Sequence, residues 1–197
     1  YFRRYGNKYI SRRICLIINF KKMKSKINLS IKNKCKKIKI ILTDVDGVLT
    51  DGGRYYSEKG EILKKFHVRD GMGVNILLRN GIKTVIITKE NSRITKKWAK
   101  EVNITKVVSN SIKKENELSK ICKEFGVSEN EIAYIGDDVN DLNLLEKVGF
   151  SAVPSDASDI IKHNVDYICS KSGGNGAFRE IVDIIFKEKF SNTRKMY

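Results

Sequence analysis

The run Lys39-Ile40-Ile41-Leu42-Thr43-Asp44-Val45-Asp46-Gly47-Val48-Leu49-Thr50-Asp51-Gly52 constrains this chain more than any other stretch. An apolar segment rich in Ile stops abruptly at two carboxylates and a glycine. Continuous apolar character of that kind predicts a parallel strand buried on both faces. In an open α/β sheet ligands bind beyond the carboxyl ends of the strands, which is where these acids fall. Asp44 and Asp46 are two apart, so on extended backbone they leave from the same face. Two acids on one face repel unless a cation or a shared proton lies between them. The pattern suits a nucleophile beside an acid/base, with a divalent metal to hold them. A strand merely capped by two solvated acids fits the spacing equally well, so these two residues alone do not decide between the readings.

Further polar groups stand at strand ends downstream, in order. A second apolar strand, Lys83 to Ile87, runs into Thr88. A short third strand, Lys106 to Val108, precedes a helix that Lys114 opens. A fourth strand, Glu131 to Ile135, ends in Gly136-Asp137-Asp138, with Asp141 just beyond. Helices are expected between them. One runs from about Arg69 to Arg79, stopped by Asn80-Gly81. The next spans Ser92 to Glu101, with Ser92 or Asn91 as its cap, and another Lys113 to Phe125, closed by Gly126. Asn140 to Val148 reads as helix. Strand, helix and strand then follow between Ser151 and Cys169, and a last helix covers Ala177 to about Lys189. Regular β/α alternation predicts a doubly wound parallel sheet with right-handed crossovers. Residues 52–66, with a turn at Glu58-Lys59-Gly60, read as a β-hairpin, too short to be a globular cap domain. Each polar cluster alone has a plain reading: Thr88 as a helix cap, Lys114 as a solvated lysine, Asp137 and Asp138 as loop acids. Together they would converge on one edge of the sheet.

Composition matters for one decision. The net charge of +16 invites a nucleic-acid reading. Residues 1–39, however, hold 14 Lys or Arg and no acid; taking those 14 from the total of 39 leaves 25 bases against 23 acids, a net of +2. The basicity belongs to the front of the chain, and no nucleic-acid partner is expected for the rest. Residues 1–37 read as a basic leader. Their apolar run, Ile14 to Phe20, is too short to span a bilayer, so no membrane partner is expected either. The four cysteines have no metal-ligand spacing and read as reduced thiols of a cytosolic protein.

Asp44-Val45-Asp46-Gly47-Val48-Leu49-Thr50 resembles the first motif of the haloacid dehalogenase-like phosphohydrolases, and Thr88, Lys114 and the Gly136-Asp137-Asp138…Asp141 cluster match that superfamily's other motifs in order. Phe66-His67-Val68-Arg69-Asp70-Gly71-Met72-Gly73 and Gly173-Gly174-Asn175-Gly176-Ala177-Phe178-Arg179-Glu180 look like two signatures of its capless 3-deoxy-manno-octulosonate 8-phosphate phosphatases. The resemblance covers residues 38–190 and implies a Rossmann-like α/β domain with a hairpin in place of a cap, and 191–197 as a tail. It implies that Asp44 attacks phosphorus to form an aspartyl-phosphate and that Asp46 acts as acid/base. It places Mg²⁺ on the Asp44 carboxylate, the Asp46 carbonyl and Asp137, with Thr88 and Lys114 on the phosphoryl oxygens. Asp138 and Asp141 would orient Lys114 or metal waters, and His67, Val68, Arg69, Asp70 and Gly71 would contact the sugar acid. Members of the family are cytoplasmic homotetramers in which the hairpin packs on a neighbour and the tail closes over a neighbour's site.

The chain departs from the family where it meets the sugar. Lys89-Glu90 replaces the usual Gly-Arg, and Asn75 and Trp98 stand where further arginines are usual. An acidic residue at Glu90, which would contact the substrate, looks more like the related phosphatases of nine-carbon acids such as acylneuraminate 9-phosphate. A reading of another class, a non-catalytic tetrameric assembly domain, is opposed by the intact set of motif groups.

Overall fold

The computed structural model describes residues 27–190. Six parallel strands form one sheet. From edge to edge they are β5 (Lys106–Val108), β4 (Lys83–Ile87), β1 (Ile40–Thr43), β6 (Ile132–Ile135), β7 (Phe150–Val153) and β8 (Tyr167–Ile168). The strand order turns back at β1, whose neighbours are β4 and β6. That makes the carboxyl end of β1 the topological switch point, where such sheets bind ligands. A separate antiparallel pair, β2 (Tyr55–Ser57) and β3 (Gly60–Leu63), is the expected hairpin.

Side chains alternate across β1, and each face builds a core. Ile41 points into a cluster with α2 (Val68–Arg79), α3 (Arg93–Glu101) and α7 (Ala177–Lys189). Ile40 and Leu42 point into the other, with α4 (Leu118–Phe125), α5 (Leu142–Leu145) and α6 (Asp159–Lys162). All three are within 1% of complete burial, each contributing about 1.5–3 kcal/mol by its removal from water. Ser92 caps α3, its Oγ accepting from Thr95 N at 3.3 Å, and Gly126 closes α4 in the left-handed region at φ +63°.

Three elements differ from the sequence reading. The helix expected from Lys113 begins as a 3-10 turn, Lys114–Glu117, because the Lys114 side chain is drawn wholly into the interior. The helix expected over 140–148 is a 3-10 turn, Val139–Asp141, followed by the four-residue α5. Asp138 and Asp141 cap one another there and tighten the turn. The third difference lies in the basic front segment. Residues Leu29–Lys37 form α1, capped by Asn28, whose Oδ1 accepts from Ile31 N at 2.9 Å. Its Ile31 and Cys35 are buried against α7, and Lys189 Nζ donates to Ile38 O at 2.7 Å. Alternating lysines hid an apolar pair at helical spacing. Residues 1–26 of the expected leader and the tail 191–197 lie outside the described residues. Among the described residues no helix is long and apolar enough to cross a membrane.

Candidate active site

The loop after β1 is wound tightly on itself. Val45 O accepts from the backbone N–H of Val48, Leu49 and Thr50, at 3.2, 2.9 and 3.0 Å. The turn needs Gly47, which has φ +87°; a Cβ there would lie 2.0 Å from Asp137 Oδ2. Gly173 presses on the same loop, where an added Cβ would lie 1.9 Å from Gly47 O. The glycine-rich segment before α7 therefore buttresses the strand-end loop. Gly47→Ala combines a left-handed backbone penalty with a clash on Asp137. We expect it to weaken divalent-cation binding at least about tenfold, roughly 1.4 kcal/mol, measurable by Mg²⁺ titration calorimetry; unaltered affinity would mean that Asp137 does not hold the ion.

The ends of β1, β4 and β6 deliver Asp44, Thr88 and Asp137 into one cavity of about 360 Å³, which Asp46, Lys114 and Asp138 also line. Asp44 is 7% exposed, its Oδ1 accepting from Val45 N at 2.7 Å and its Oδ2 lying 2.7 Å from Lys114 Nζ. The Lys114 ammonium is completely buried and also donates to Asp141 Oδ1 at 2.5 Å. Burial alone would lower its pKa, but Asp44 and Asp141 outweigh that and hold it above the ordinary value. Thr88 Oγ1 accepts from Glu90 N at 3.1 Å, which fixes the turn after β4.

Asp44, Asp137 and Asp141 each offer a carboxylate oxygen, all within 4.8 Å of one another. Asp141 is already engaged. Its Oδ1 accepts from Lys114 and, at 2.6 Å, from Tyr134 Oη; its Oδ2 accepts from the backbone N–H of Asp137 and Asp138, at 2.9 and 3.3 Å. Asp44 and Asp137 retain acceptor capacity, and oxygen donors suit a hard cation such as Mg²⁺. Burial pushes Asp44 up to about 7, and burial with the neighbouring Asp44 charge pushes Asp137 up to about 8. A cation relieves both effects, so the residues fit the ion.

The sign of the linkage gives a test. Both groups hold protons more tightly in the folded chain than at their ordinary value of 3.8. Their ionisation therefore opposes folding, with no cost below about pH 4 and the full cost above about pH 8. The stability these two groups contribute in metal-free protein should fall as pH rises through that window. Mg²⁺ needs the ionised carboxylates, so it should raise the melting temperature more at pH 8 than at pH 5. Melting curves with Mg²⁺ and with a chelator at both values check this; equal shifts would contradict it.

Asp138, at the exposed rim of this cavity, caps the 3-10 turn through Val139 N at 2.8 Å. The other expected residues lie elsewhere. His67–Gly71 forms the first turn of α2 and is not brought into the carboxylate cavity. His67 Nδ1 accepts from Arg69 N at 3.3 Å, and Val68 is 84% exposed. Asp70 is fully buried and accepts from Arg179 N at 2.8 Å, anchoring the start of α7; burial pushes its carboxyl up to about 6. Gly71 lets α2 approach Val102, whose Cγ1 would lie 2.9 Å from an added Cβ. Arg69 lines a different groove, of about 590 Å³, beside Arg179 and Asn175. The larger groove is not where the carboxylates gather. Of the departures from the family, Glu90 lines the carboxylate cavity, whereas Trp98 stacks on Phe66 with ring centroids 4.3 Å apart and Asn75 donates to Gly71 O at 3.1 Å.

Three site residues escaped the sequence reading. Tyr134 could have been suspected, as the one polar tip in the strand that leads to Asp137. Lys64 and Glu61 gave no signal. The Lys64 ammonium is fully buried against Asp46 Oδ1 and lies 3.2 Å from Glu61 Oε1.

The family model for haloacid dehalogenase-like hydrolases matches residues 80–181. The 3-deoxy-D-manno-octulosonate 8-phosphate phosphatase of Haemophilus influenzae is 38% identical over 157 residues, 80% of this chain and 87% of its own length. Its counterpart in Escherichia coli K12 is 34% identical over 152 residues, 77% of this chain and 81% of its own. The crystal structure of the Moraxella catarrhalis phosphatase, in complex with magnesium, phosphate and a KDO molecule, superposes with a TM-score of 0.79 at 36% identity, covering 81% of this chain and 92% of that one. A cobalt-bound Haemophilus influenzae structure gives 0.79 at 36%, covering 83% and 98%. With a cation-ready carboxylate cavity at the switch point of the same fold, the chain belongs to the 3-deoxy-D-manno-octulosonate 8-phosphate phosphatase family of haloacid dehalogenase-like hydrolases.

Proposed function

We propose that this protein is a Mg²⁺-dependent phosphomonoester hydrolase acting on a 2-keto-3-deoxy sugar acid phosphate, with 3-deoxy-D-manno-octulosonate 8-phosphate as the substrate. The observation that carries the reading is the convergence of Asp44, Thr88, Lys114 and Asp137 in one cavity of a chain from that family. In this reading an Asp44 carboxylate oxygen bonds to phosphorus as the bond to the sugar oxygen breaks. The leaving oxygen takes the electron pair and a proton from Asp46. Water then attacks the aspartyl-phosphate and gives its proton to Asp46, which restores Asp44 and releases phosphate. Lys114 and Thr88 hold the phosphoryl oxygens where charge develops. Asp44, Asp137 and the Asp46 carbonyl would hold Mg²⁺, which would supply positive charge against the carboxylates and the phosphoryl group. Asp141 orients Lys114.

A nine-carbon substrate is the second reading, favoured by Glu90. It lines the cavity, and its Oε2 lies 3.2 Å from Arg54 Nη2. A buried substrate carboxylate needs a cation; Arg54 and Lys89 line this cavity, whereas Arg69 lines the other groove. The deciding measurement is kcat/KM on the eight- and nine-carbon phosphates. Glu90→Arg should shift the ratio towards the eight-carbon substrate by about 1–3 kcal/mol. An unchanged ratio would place this position away from the sugar. Turnover of a generic aryl phosphate separates either reading from a non-catalytic assembly domain.

The proposal includes a cytoplasmic homotetramer. Tyr55, Tyr56, Ile62 and Leu63 leave the hairpin with an exposed apolar surface, a surface that suits a neighbouring copy. Light scattering tests it.

A further inference from the structure

The reading of Asp46 as proton carrier leaves open what fixes its carboxyl group. A buried lysine ammonium is costly unless it is paired, and Lys64 spends its whole charge in one place. Its side chain is 0% exposed, and Nζ bonds Asp46 Oδ1 on one side and lies 3.2 Å from Glu61 Oε1 on the other. Glu61 is held in turn: Ser92 Oγ donates to its Oε2 at 2.5 Å, and Arg54 Nε lies 3.7 Å from its Oε1. Lys64 and Glu61 come from the hairpin end and Ser92 from the start of α3, so the Asp46 side chain is braced from two elements outside its own loop. Thr50 Oγ1 adds a weaker contact to the same Oδ1, at 3.4 Å. Oδ2 of Asp46 has no hydrogen-bond partner among the described residues, and Asp46 lines the cavity.

We propose that Lys64 is a positioning residue for proton transfer: by occupying Oδ1 of Asp46 it leaves Oδ2 as the oxygen that carries the proton and faces the leaving group. This rests on the reading of Asp46 as acid/base. A proton placed on Oδ1 would meet the ammonium, so the acid form is directed to Oδ2 with Oδ1 still accepting from Lys64. The ammonium also stays beside the carboxylate that forms as the proton departs, an interaction stronger in the transition state than before it.

The test uses leaving-group dependence, which a purely structural role would not move. An alkyl oxygen must be protonated as it leaves, whereas 4-nitrophenolate leaves without a proton. Lys64→Met should lower kcat/KM on 3-deoxy-D-manno-octulosonate 8-phosphate by about 10- to 100-fold, within what general acid catalysis supplies. On 4-nitrophenyl phosphate the loss should stay below about threefold. Lys64→Gln, which keeps an N–H donor for Oδ1, should recover part of the alkyl-phosphate loss. It also carries the test alone if the Met variant does not fold. Mg²⁺ affinity should hold in both variants, since Lys64 touches neither Asp44 nor Asp137 and meets Asp46 at its carboxylate, not at its carbonyl. Equal losses on the two phosphates, or no loss on either, would overturn the proposal. Asp46→Asn run alongside separates the two levels. A selective loss in Asp46→Asn without one in the Lys64 variants removes only Lys64's role, whereas no selectivity in Asp46→Asn removes the reading of Asp46 and this inference with it.

Discussion

Asp44→Asn is expected to abolish turnover, by at least about 10⁴-fold, because an amide oxygen is too weak a nucleophile to attack phosphorus. The fold should survive. Asp44 is nearly buried, and its charge is opposed there by that burial and by Asp137 and Asp141, and favoured by Lys114 and by the Val45 N–H, from which an amide oxygen still accepts. The amide removes the repulsion and keeps the shape, while Lys114 retains Asp141 at 2.5 Å. Loss of one favourable and two unfavourable interactions should leave stability within about 1 kcal/mol of the parent. Two measurements decide the matter: rapid-quench trapping of phosphoenzyme, and urea unfolding. A burst of phosphoenzyme in the Asn variant would assign the nucleophile elsewhere. An unfolded variant would mean that the Asp44–Lys114 pair holds the loop rather than the chemistry.

Lys114→Met should damage both stability and catalysis. The ammonium is the charge that Asp44 and Asp141 share, and nothing in a thioether replaces it. Breaking a buried ion pair by removing one partner typically costs about 3–5 kcal/mol, because the remaining charges stay buried without compensation. Asp141 keeps Tyr134 Oη at 2.6 Å and two backbone N–H groups, so Asp44 is the group left exposed to the loss. It should then bind a proton in place of the lysine, and the protonated form cannot attack phosphorus. The expected outcome is a lowered urea midpoint with an unchanged m-value, together with turnover too slow to measure against the parent. Mg²⁺ should restore part of the stability, since it supplies the missing positive charge. A Met variant as stable as the parent would mean that Lys114 is held by its stem and not by its charge.

Much of this was legible in the order of residues because strand ends converge by topology. Once Ile40–Thr43, Lys83–Ile87 and Ile132–Ile135 read as parallel strands, Asp44, Thr88 and Asp137 had to share an edge. Lys114 was legible for a related reason, as it starts the segment after β5. What could not be read were contacts set by the third dimension. Lys64 and Lys65 are adjacent lysines past one hairpin. Consecutive residues of extended chain face opposite ways, and one is buried on Asp46 while the other reaches Asp51 Oδ2 at 2.9 Å from the surface. Sequence offers no means of choosing between them. The His67–Gly71 segment lies outside the cavity within the single chain, and its Asp70 carboxylate serves the backbone of α7.

The helix at Leu29–Lys37 has a bearing on where this protein can be cut. Four lysines of that helix, Lys32, Lys34, Lys36 and Lys37, sit on the outside of an element whose Ile31 and Cys35 are sealed against α7. A truncation placed by charge, after residue 37, would strip from α7 the cover that Ile31 and Cys35 give it and would take from the Lys189 ammonium the Lys36 carbonyl at 3.0 Å, leaving it that of Ile38 at 2.7 Å. Among the described residues Ile27 already packs on the same core, so the unit that keeps its interior covered begins there. An affinity tag or protease site belongs upstream of that residue, and positive charge at the front of a chain is a poor guide to where folding starts.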